Sequence, residues 1–249
     1  MYLTLKALVL RVTDYKETDA ILTLLTRDCG LITAKVRGLK RKNNPMTAAC
    51  QLLALGEFTL FEYRGMYSVN EAHPIELFRE LRRDIEKLAL GSYFAQVVEN
   101  VSQEDEPSPD LQSLVLNCLY ALSKLDVPLK QVKAVFELRC ACIAGYAPDL
   151  HGCYRCGNPM PDRFNVAEGR LECSSCRSPD SDGLRLPINP GGVEAARYIC
   201  SCESKRLFLF HAGDDTLDSL SQIGETYLVV QLERGFSTLD FYKSMQIQV

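Results

Sequence analysis

Two pairs of cysteines in the second half of the chain constrain its fold more than any other sequence feature. Cys153 and Cys156 are separated by two residues, sixteen residues follow, and Cys173 and Cys176 repeat the two-residue gap. This spacing lies within the range of four-cysteine zinc sites. Each gap lets a tight turn present two sulfurs to one ion, and two such knuckles complete a tetrahedron with Zn–S distances of about 2.3 Å. We therefore predict that Cys153, Cys156, Cys173 and Cys176 are ligands of one zinc ion.

The predicted zinc ion is structural, because four protein ligands leave no open position for water or substrate. Burial of the four thiols as small apolar side chains does not explain the pattern, since their neighbours include the polar residues Arg155 and Glu172. The cysteines of two other pairs lie in segments with helical spacing, where small buried apolar side chains are common. These are Cys140, Cys142, Cys200 and Cys202.

The composition is that of a folded globular protein. The 249 residues are 47% hydrophobic and 24% charged, enough for one large domain or two to three small ones. The sequence shows no long apolar run and no signal-peptide pattern, which predicts a cytoplasmic protein without a membrane partner. The odd count of eleven cysteines also argues against a complete disulfide framework.

The first third of the chain has the pattern of short β-strands separated by turn residues. Five strands in under eighty residues predict a small closed barrel, and the OB-fold is a five-stranded barrel whose sheet face and loops often bind single-stranded nucleic acid. The predicted strands span residues 7–12, 20–26, 31–36, 57–63 and 66–72.

After Pro74 the apolar spacing becomes helical, and it is interrupted once, around the four cysteines. We predict an α+β multidomain protein, with an OB-fold domain over residues 1–78 and an α-helical domain over residues 79–249. A zinc-finger insert is expected at about residues 150–187. Helices are predicted from Pro74 onward and at about residues 109–124, 128–144, 190–202 and 216–235.

A basic segment follows the third predicted strand in a chain whose net charge is −4. Between residues 34 and 47 there is no acidic residue, and five cations in a mobile loop at a strand end can follow a phosphate backbone. If all five contact single-stranded phosphates, log K falls with log salt at a slope of about −3.5. On charge alone, an ordinary solvated loop is an equal alternative. The predicted DNA-binding residues are Lys35, Arg37, Lys40, Arg41 and Lys42.

Four aromatic residues of the predicted barrel are candidate base-stacking platforms, although aromatic residues in strands more often belong to the core. They are Tyr15, Phe61, Tyr63 and Tyr67.

Sequence patterns of catalysis are absent. The chain has no Gly-x-Ser-x-Gly, no phosphate loop, no dinucleotide fingerprint and no His-Glu-x-x-His. It has only three histidines, none in a context that suggests an activated base. We predict a binding protein rather than an enzyme.

Several local strings, in the same order along nearly the whole chain, resemble the RecO family of bacterial recombination-mediator proteins. In the N-terminal part they are residues 9–19, 24–30 and 37–42. They continue through residues 136–139, residues 145–148, the cysteine quartet, and Gly183 with Pro187.

The resemblance implies an N-terminal OB-fold, a central helical domain and a four-cysteine zinc finger inserted into it. It also implies binding to single- and double-stranded DNA without sequence preference, annealing of complementary strands, and work with RecR. Together these proteins help RecA displace the single-stranded-DNA-binding protein, at the nucleoid and without catalysis. The resemblance assigns Lys35, Arg37, Lys40, Arg41 and Lys42 to backbone contacts. This chain departs from the family at Asn43-Asn44-Pro45, where a serine-bearing stretch is common.

Two other functions stay open from the residues alone. OB barrels and zinc knuckles serve RNA equally well, so an RNA-binding module is one alternative. A zinc-dependent enzyme is the other, and it would require a displaced cysteine and a metal-bound water.

Overall fold

The N-terminal part of the protein is a closed five-stranded barrel. The structure is a computed structural model that describes residues 2–176 and 183–246. The barrel order is β1-β2-β3-β5-β4, closed by antiparallel pairing of β1 with β4. The predicted five-stranded barrel is therefore confirmed. Its strands are β1 (Tyr2–Tyr15), β2 (Asp19–Thr26), β3 (Leu31–Val36), β4 (Leu55–Tyr63) and β5 (Met66–Glu76).

The long first strand closes the barrel by pairing with two other strands. Its residues from Ala7 onward pair with β2, and those up to Leu8 pair with β4. The register shifts between Val9 and Arg11, and such a bulge increases the bend and twist that a strand needs at a barrel corner. Inward-facing apolar side chains of all five strands then form one buried core.

The connection between β3 and β4 is an ordered series of turns rather than the mobile loop expected from the sequence. The Arg41 amide donates to the Gly38 carbonyl (3.1 Å), and similar bonds follow along the segment. Leu39 and Cys50 are buried in the barrel core, and Met46 packs against it. Apolar residues within this polar segment therefore anchor it to the barrel.

Three α-helices and a 3-10 helix complete the first compact unit, which contains the described residues up to Lys124 and those from Phe236 onward. A 3-10 helix (Arg79–Arg83) leads into α1, whose N-cap Asp84 accepts from two backbone amides. Tyr93 and Phe236 pack edge to face, 5.8 Å between ring centroids. The helices are α1 (Ile85–Val101), α2 (Pro109–Lys124) and, at the other end of the chain, α6 (Ser237–Gln246).

The second compact unit, Leu125–Gly235, combines helices with a small sheet. The helices are α3 (Leu129–Ile143), α4 (Pro190–Ser201) and α5 (Asp214–Gln231). The sheet has the order β7-β6-β8, formed by β6 (Arg163–Asn165), β7 (Arg170–Glu172) and β8 (Arg185–Pro187).

A buried ion group lies within the helical part of this unit. Lys133 of α3 pairs with Glu137 (2.9 Å) and with Glu225 of α5 (2.8 Å). Breaking a buried pair leaves an uncompensated charge, so the three residues are mutually dependent.

The sequence boundary predicted after residue 78 stays a prediction. Residues 177–182 of the predicted insert lie outside the described residues. Among the described residues, no helix has the length and apolar character needed to cross a membrane.

Candidate metal centre and nucleic-acid interface

The two cysteine pairs lie on two tight turns. In the first, the Gly157 amide donates to the Cys153 carbonyl (2.8 Å), and the Cys153 amide donates to the Asn158 carbonyl (2.8 Å). Gly157 has φ +74°, which glycine adopts without strain. In the second, the Cys176 amide donates to the Cys173 carbonyl (2.9 Å) directly after β7. The two-residue gaps thus form the knuckles that their spacing predicts.

The structure brings the four predicted metal ligands to one point. All four Sγ atoms lie within 4.8 Å of one another, and those of Cys156 and Cys173 are 3.8 Å apart. Tetrahedral coordination with bonds of about 2.3 Å requires sulfurs about 3.8 Å apart. Cys153 and Cys173 are buried, whereas Cys156 is exposed. The donor set therefore fits a four-coordinate ion bound through thiolates.

Hydrogen-bond donors around the sulfurs favour negative charge. The Cys173 amide donates to the Cys153 Sγ (3.3 Å), and the Asn158 side chain donates to the Cys173 Sγ (3.2 Å). Burial raises the pKa of Cys153, but the backbone amides of Cys156, Arg155 and Cys173 outweigh it and lower that pKa to about 6. A hydrogen bond with Cys156 raises the pKa of Cys176 to about 12. One thiolate thus forms readily, and an ion must displace the remaining thiol protons.

Arg197 of α4 holds the first knuckle from outside and was not found from the sequence. Its Nε donates to the Leu150 carbonyl (2.7 Å), and its Nη2 donates to the carbonyls of His151 (3.0 Å) and Pro159 (2.8 Å). Its Nη1 pairs with Glu194 (2.7 Å). One guanidinium therefore ties together carbonyls on both sides of the knuckle. Such fixed donors limit the freedom of metal-binding turns.

The five predicted DNA-binding cations divide into two groups. Those of the first group, Lys35 and Lys40, form ion pairs with aspartates. The Lys35 Nζ lies 2.9 Å from Asp19 and 4.7 Å from the centre of the Tyr15 ring. The Lys40 Nζ lies 2.6 Å from Asp14. A phosphate must compete with these carboxylates for the two lysines.

The second group, Arg37, Arg41 and Lys42, is exposed and has no ion-pair partner within the described ranges. Gly38, at φ +63°, donates its amide to Asp19 (2.9 Å) and so fixes the turn that carries these cations. That bond, followed by Lys35, lowers the pKa of Asp19 to about 2. Asp19 is therefore ionised at neutral pH and organises the start of the basic segment.

Asn44, within the stretch that departs from the family pattern, closes the basic segment. Its side-chain amide donates to the Gly38 carbonyl (2.8 Å), and its Oδ1 accepts from the Met46 amide (2.8 Å). The preceding Asn43 has φ +62°, a conformation that asparagine tolerates better than most residues. The stretch Asn43-Asn44-Pro45, which departs from the family pattern, therefore forms a hydrogen-bonded turn.

Three of the four candidate stacking residues expose ring surface. Tyr15 and Phe61 are each 38% exposed and Tyr63 is 55% exposed, whereas Tyr67 is half-buried against the barrel core. The Phe61 ring also lies 5.2 Å from that of Tyr2. The structure thus favours the first three as surfaces for a planar ligand.

The chain matches two protein-family models along most of its length. The family model described as "Recombination protein O C terminal" matches residues 82–240, and "Recombination protein O N terminal" matches residues 1–78. The chain belongs to the RecO family. DNA repair protein RecO of Acetivibrio thermocellus is 33% identical over 246 residues, covering 98% of this chain and 97% of that protein. DNA repair protein RecO of Alkaliphilus metalliredigens is 29% identical, covering 98% and 100%. The resemblance to RecO proteins is confirmed along both regions.

Proposed function

We propose that this RecO-family chain is a mediator of DNA repair and homologous recombination. In this role it binds single- and double-stranded DNA without sequence preference and anneals complementary strands. With RecR it helps load RecA onto DNA coated by the single-stranded-DNA-binding protein. Family membership and the relatives named DNA repair proteins support the general role. We place the protein in the cytoplasm, at the nucleoid during repair, and assign it no catalytic step.

The observation that carries the proposal is the exposed group Arg37, Arg41 and Lys42 on an anchored turn of the barrel. Cations that meet phosphates give affinity without sequence information, because every nucleotide presents the same backbone. Lys35 and Lys40 add to this surface when phosphates displace their carboxylates. Contact through the backbone leaves base edges accessible for pairing with a second strand.

Stacking provides the second part of the binding energy. Bases of any type can stack on an aromatic face, which adds about 1–3 kcal/mol per base without sequence readout. Tyr15 borders the basic segment, because the Lys35 Nζ lies 4.7 Å from the centre of its ring. Cations and an aromatic ring on one surface are the combination that single-strand binding requires.

We propose zinc as the ion of the four-cysteine cluster. Zinc matches four thiolates in tetrahedral geometry, and its closed coordination shell would make it structural. Cys153, Cys156, Cys173 and Cys176 would hold it, joining the two knuckles at the edge of the small sheet. When bound, the ion supplies the cross-link that folds the insert.

The test is annealing of complementary DNA strands coated with the cognate single-stranded-DNA-binding protein. The native chain is expected to anneal them rapidly, and the variant with Lys35, Arg37, Lys40, Arg41 and Lys42 replaced by alanine is expected to lose this activity. A charge-matched control replaces five exposed cations of other segments and should anneal normally. These are Lys6, Arg83, Lys205, Arg206 and Arg234.

Equal annealing by the native chain and the first variant would remove the basic segment as the site. Failure of the native chain itself would overturn the proposed annealing function. Tight binding of structured RNA by the same chain would then favour the RNA-binding alternative.

A further inference from the structure

The four sulfurs of the cysteine cluster are not equally accessible to solvent. Cys153 and Cys173 are buried, Cys176 is half-buried and Cys156 is exposed. The next residue, Gly157, also faces open space, since a Cβ added there would meet no atom of the described residues within 4 Å. A small reagent dissolved in water therefore reaches the Cys156 sulfur more easily than the other three.

Hydrogen bonds to the sulfurs make the same distinction. The Cys153 Sγ accepts from the Cys173 amide (3.3 Å), and the Cys173 Sγ accepts from the Asn158 side chain (3.2 Å). A hydrogen bond withdraws charge from a thiolate and makes its sulfur a weaker nucleophile. Burial and hydrogen bonding thus both slow oxidation of Cys153 and Cys173, whereas exposure favours oxidation of Cys156.

A second sulfur lies close to that of Cys156. The Sγ atoms of Cys156 and Cys173 are 3.8 Å apart and belong to different knuckles. A disulfide bond is about 2.05 Å long, so the two sulfurs must approach each other by roughly 1.8 Å. Cys173 follows β7 directly, and β7 is paired with β6. The exposed turn that carries Cys156 and Gly157 is therefore the part that moves.

We propose that Cys156 and Cys173 form a redox switch in the insert. A peroxide links the two residues in a disulfide, and the bound ion is released. This inference rests on the zinc ion proposed above for the four-cysteine cluster. A thiol that ligates such an ion is deprotonated, so Cys156 combines the thiolate form with exposure, the two conditions that favour oxidation.

The reaction with hydrogen peroxide has two steps. The Cys156 thiolate attacks one oxygen and the O–O bond breaks, which leaves a sulfenic acid on Cys156 and releases hydroxide. The Cys173 thiolate then attacks the Cys156 sulfur, the S–S bond forms, and a second hydroxide leaves. Two protons from solvent convert both hydroxides to water. Two thiolates are thus oxidised by two electrons, and the peroxide is reduced to two waters.

The disulfide removes two of the four ligands. Cys153 and Cys176 alone do not complete a tetrahedral site, so the ion leaves. The insert then loosens, because binding of a structural ion is coupled to folding. Reduction of the disulfide restores all four thiols and lets the insert bind zinc again.

The test treats the zinc-loaded native chain with hydrogen peroxide and measures released zinc with a chromogenic chelator. We expect complete release, and recovery of one bound ion after dithiothreitol and added zinc. Trypsin cleaves after Arg155, which separates Cys153 from Cys156. After thiols are blocked with N-ethylmaleimide and the chain is digested without reduction, mass spectrometry should find residues 156–163 linked to residues 171–177. Fragmentation should place the bond at Cys173.

Two variants test the role of the exposed sulfur. Cys156→His keeps four ligands, because three cysteines and one histidine also bind structural zinc. It should bind one ion and lose the release caused by peroxide. Cys176→His is the matched control, since it has the same ligand types but retains both Cys156 and Cys173. It should release zinc at the native rate.

The outcomes separate this inference from the zinc assignment. A native chain that keeps its zinc in peroxide, or a disulfide from Cys156 to Cys153 or Cys176, would overturn the switch and leave the zinc site intact. Release from Cys156→His at the native rate would do the same. A native chain purified without zinc would overturn the zinc assignment itself, and the switch with it.

Discussion

The four-cysteine cluster and the basic segment are both short stretches rich in one kind of side chain. They differ in how these side chains are arranged in space. The four sulfurs of the cluster converge within 4.8 Å of one another. The five cations spread over a strand end and a series of turns. Two of them, Lys35 and Lys40, form ion pairs with Asp19 and Asp14. A site that needs one point in space is therefore encoded by spacing. A site that needs a charged surface also depends on partners elsewhere in the chain.

The largest expected effect is on the cluster. Replacing Cys153 and Cys156 with serine removes half of the ligands, and structural zinc contributes roughly 10–16 kcal/mol of coupled binding and folding free energy in zinc-finger peptides. We expect zinc, measured by metal analysis of the purified protein, to fall from one ion per chain to nearly none. Proteolysis should then cut within the insert while the barrel stays intact. Cys202→Ser is the matched control, and stoichiometric zinc in the double variant would disprove the ligand assignment.

The next effect separates the two groups of cations in the basic segment. Replacing Arg37, Arg41 and Lys42 with alanine should flatten the salt dependence of single-stranded DNA binding by about 2 in log K against log salt, at about 0.7 per phosphate contact. Replacing Lys35 and Lys40 should flatten it by less than about 1.4, the value for two freely available cations, because their carboxylates compete with phosphate. Fluorescence anisotropy over a range of salt concentrations measures both slopes. A change of about 1.4 for the lysine pair would show that carboxylate pairing does not divide the segment.

A smaller effect is expected when Arg197, which supports the cluster from outside, is changed. Both Arg197→Gln and Arg197→Lys should release zinc to a chelator about tenfold faster, at the lower end of the effects seen for residues outside the ligand shell. Lysine keeps the charge but lacks the planar fork that reaches three carbonyls at once. Glu194→Gln is the control, since it alters only an exposed partner of Arg197. Native release from Arg197→Lys would mean that charge alone supports the knuckle.

The sequence predicted those elements whose signals come from residues close together in the chain, and it missed elements that lack such local signals. The bounds predicted for the helix over residues 109–124 are those of α2, because its apolar period and its proline are local signals. The strands β6, β7 and β8 were not predicted, since three residues each are too few to show a period. Helix α6 was also missed: the predicted helix over residues 216–235 ends at Gln231 as α5, and a new helix follows.

The candidate sites show the same contrast between local sequence signals and tertiary contacts. The four cysteines needed only their spacing, whereas Arg197 and the two aspartates that pair with the basic segment act through tertiary contacts. A lone arginine on a helix has no pattern that points to three distant carbonyls. Similarly, Asp14 and Asp19 precede the basic segment by an entire hairpin, so a count of local charge overlooks them.

Asp19 gives a further, pH-dependent prediction for the barrel. Its pKa is lowered from 3.8 to about 2 by the Gly38 amide and by Lys35. A carboxylate with a depressed pKa in the folded state stabilises the fold fully above its unfolded pKa, and this contribution is lost as the pH falls from about 3.8 towards 2. Urea unfolding between pH 5 and pH 3 should therefore show a smaller loss of stability in Asp19→Asn than in the native chain. Identical pH dependence in the two proteins would contradict the assignment.

The smallest expected effect uses the same variant to test whether Asp19 limits the basic segment. Asparagine keeps an oxygen that can accept from the Gly38 amide, so the turn should persist, but it removes the negative charge facing Lys35. Lys35 then becomes available to phosphate, and the salt slope for single-stranded DNA should steepen by about 0.7, the value of one added contact. Adding Lys35→Ala to Asp19→Asn should cancel this gain. An unchanged slope in Asp19→Asn would contradict this prediction. A steeper slope that persists in the double variant would show that the added contact does not come from Lys35.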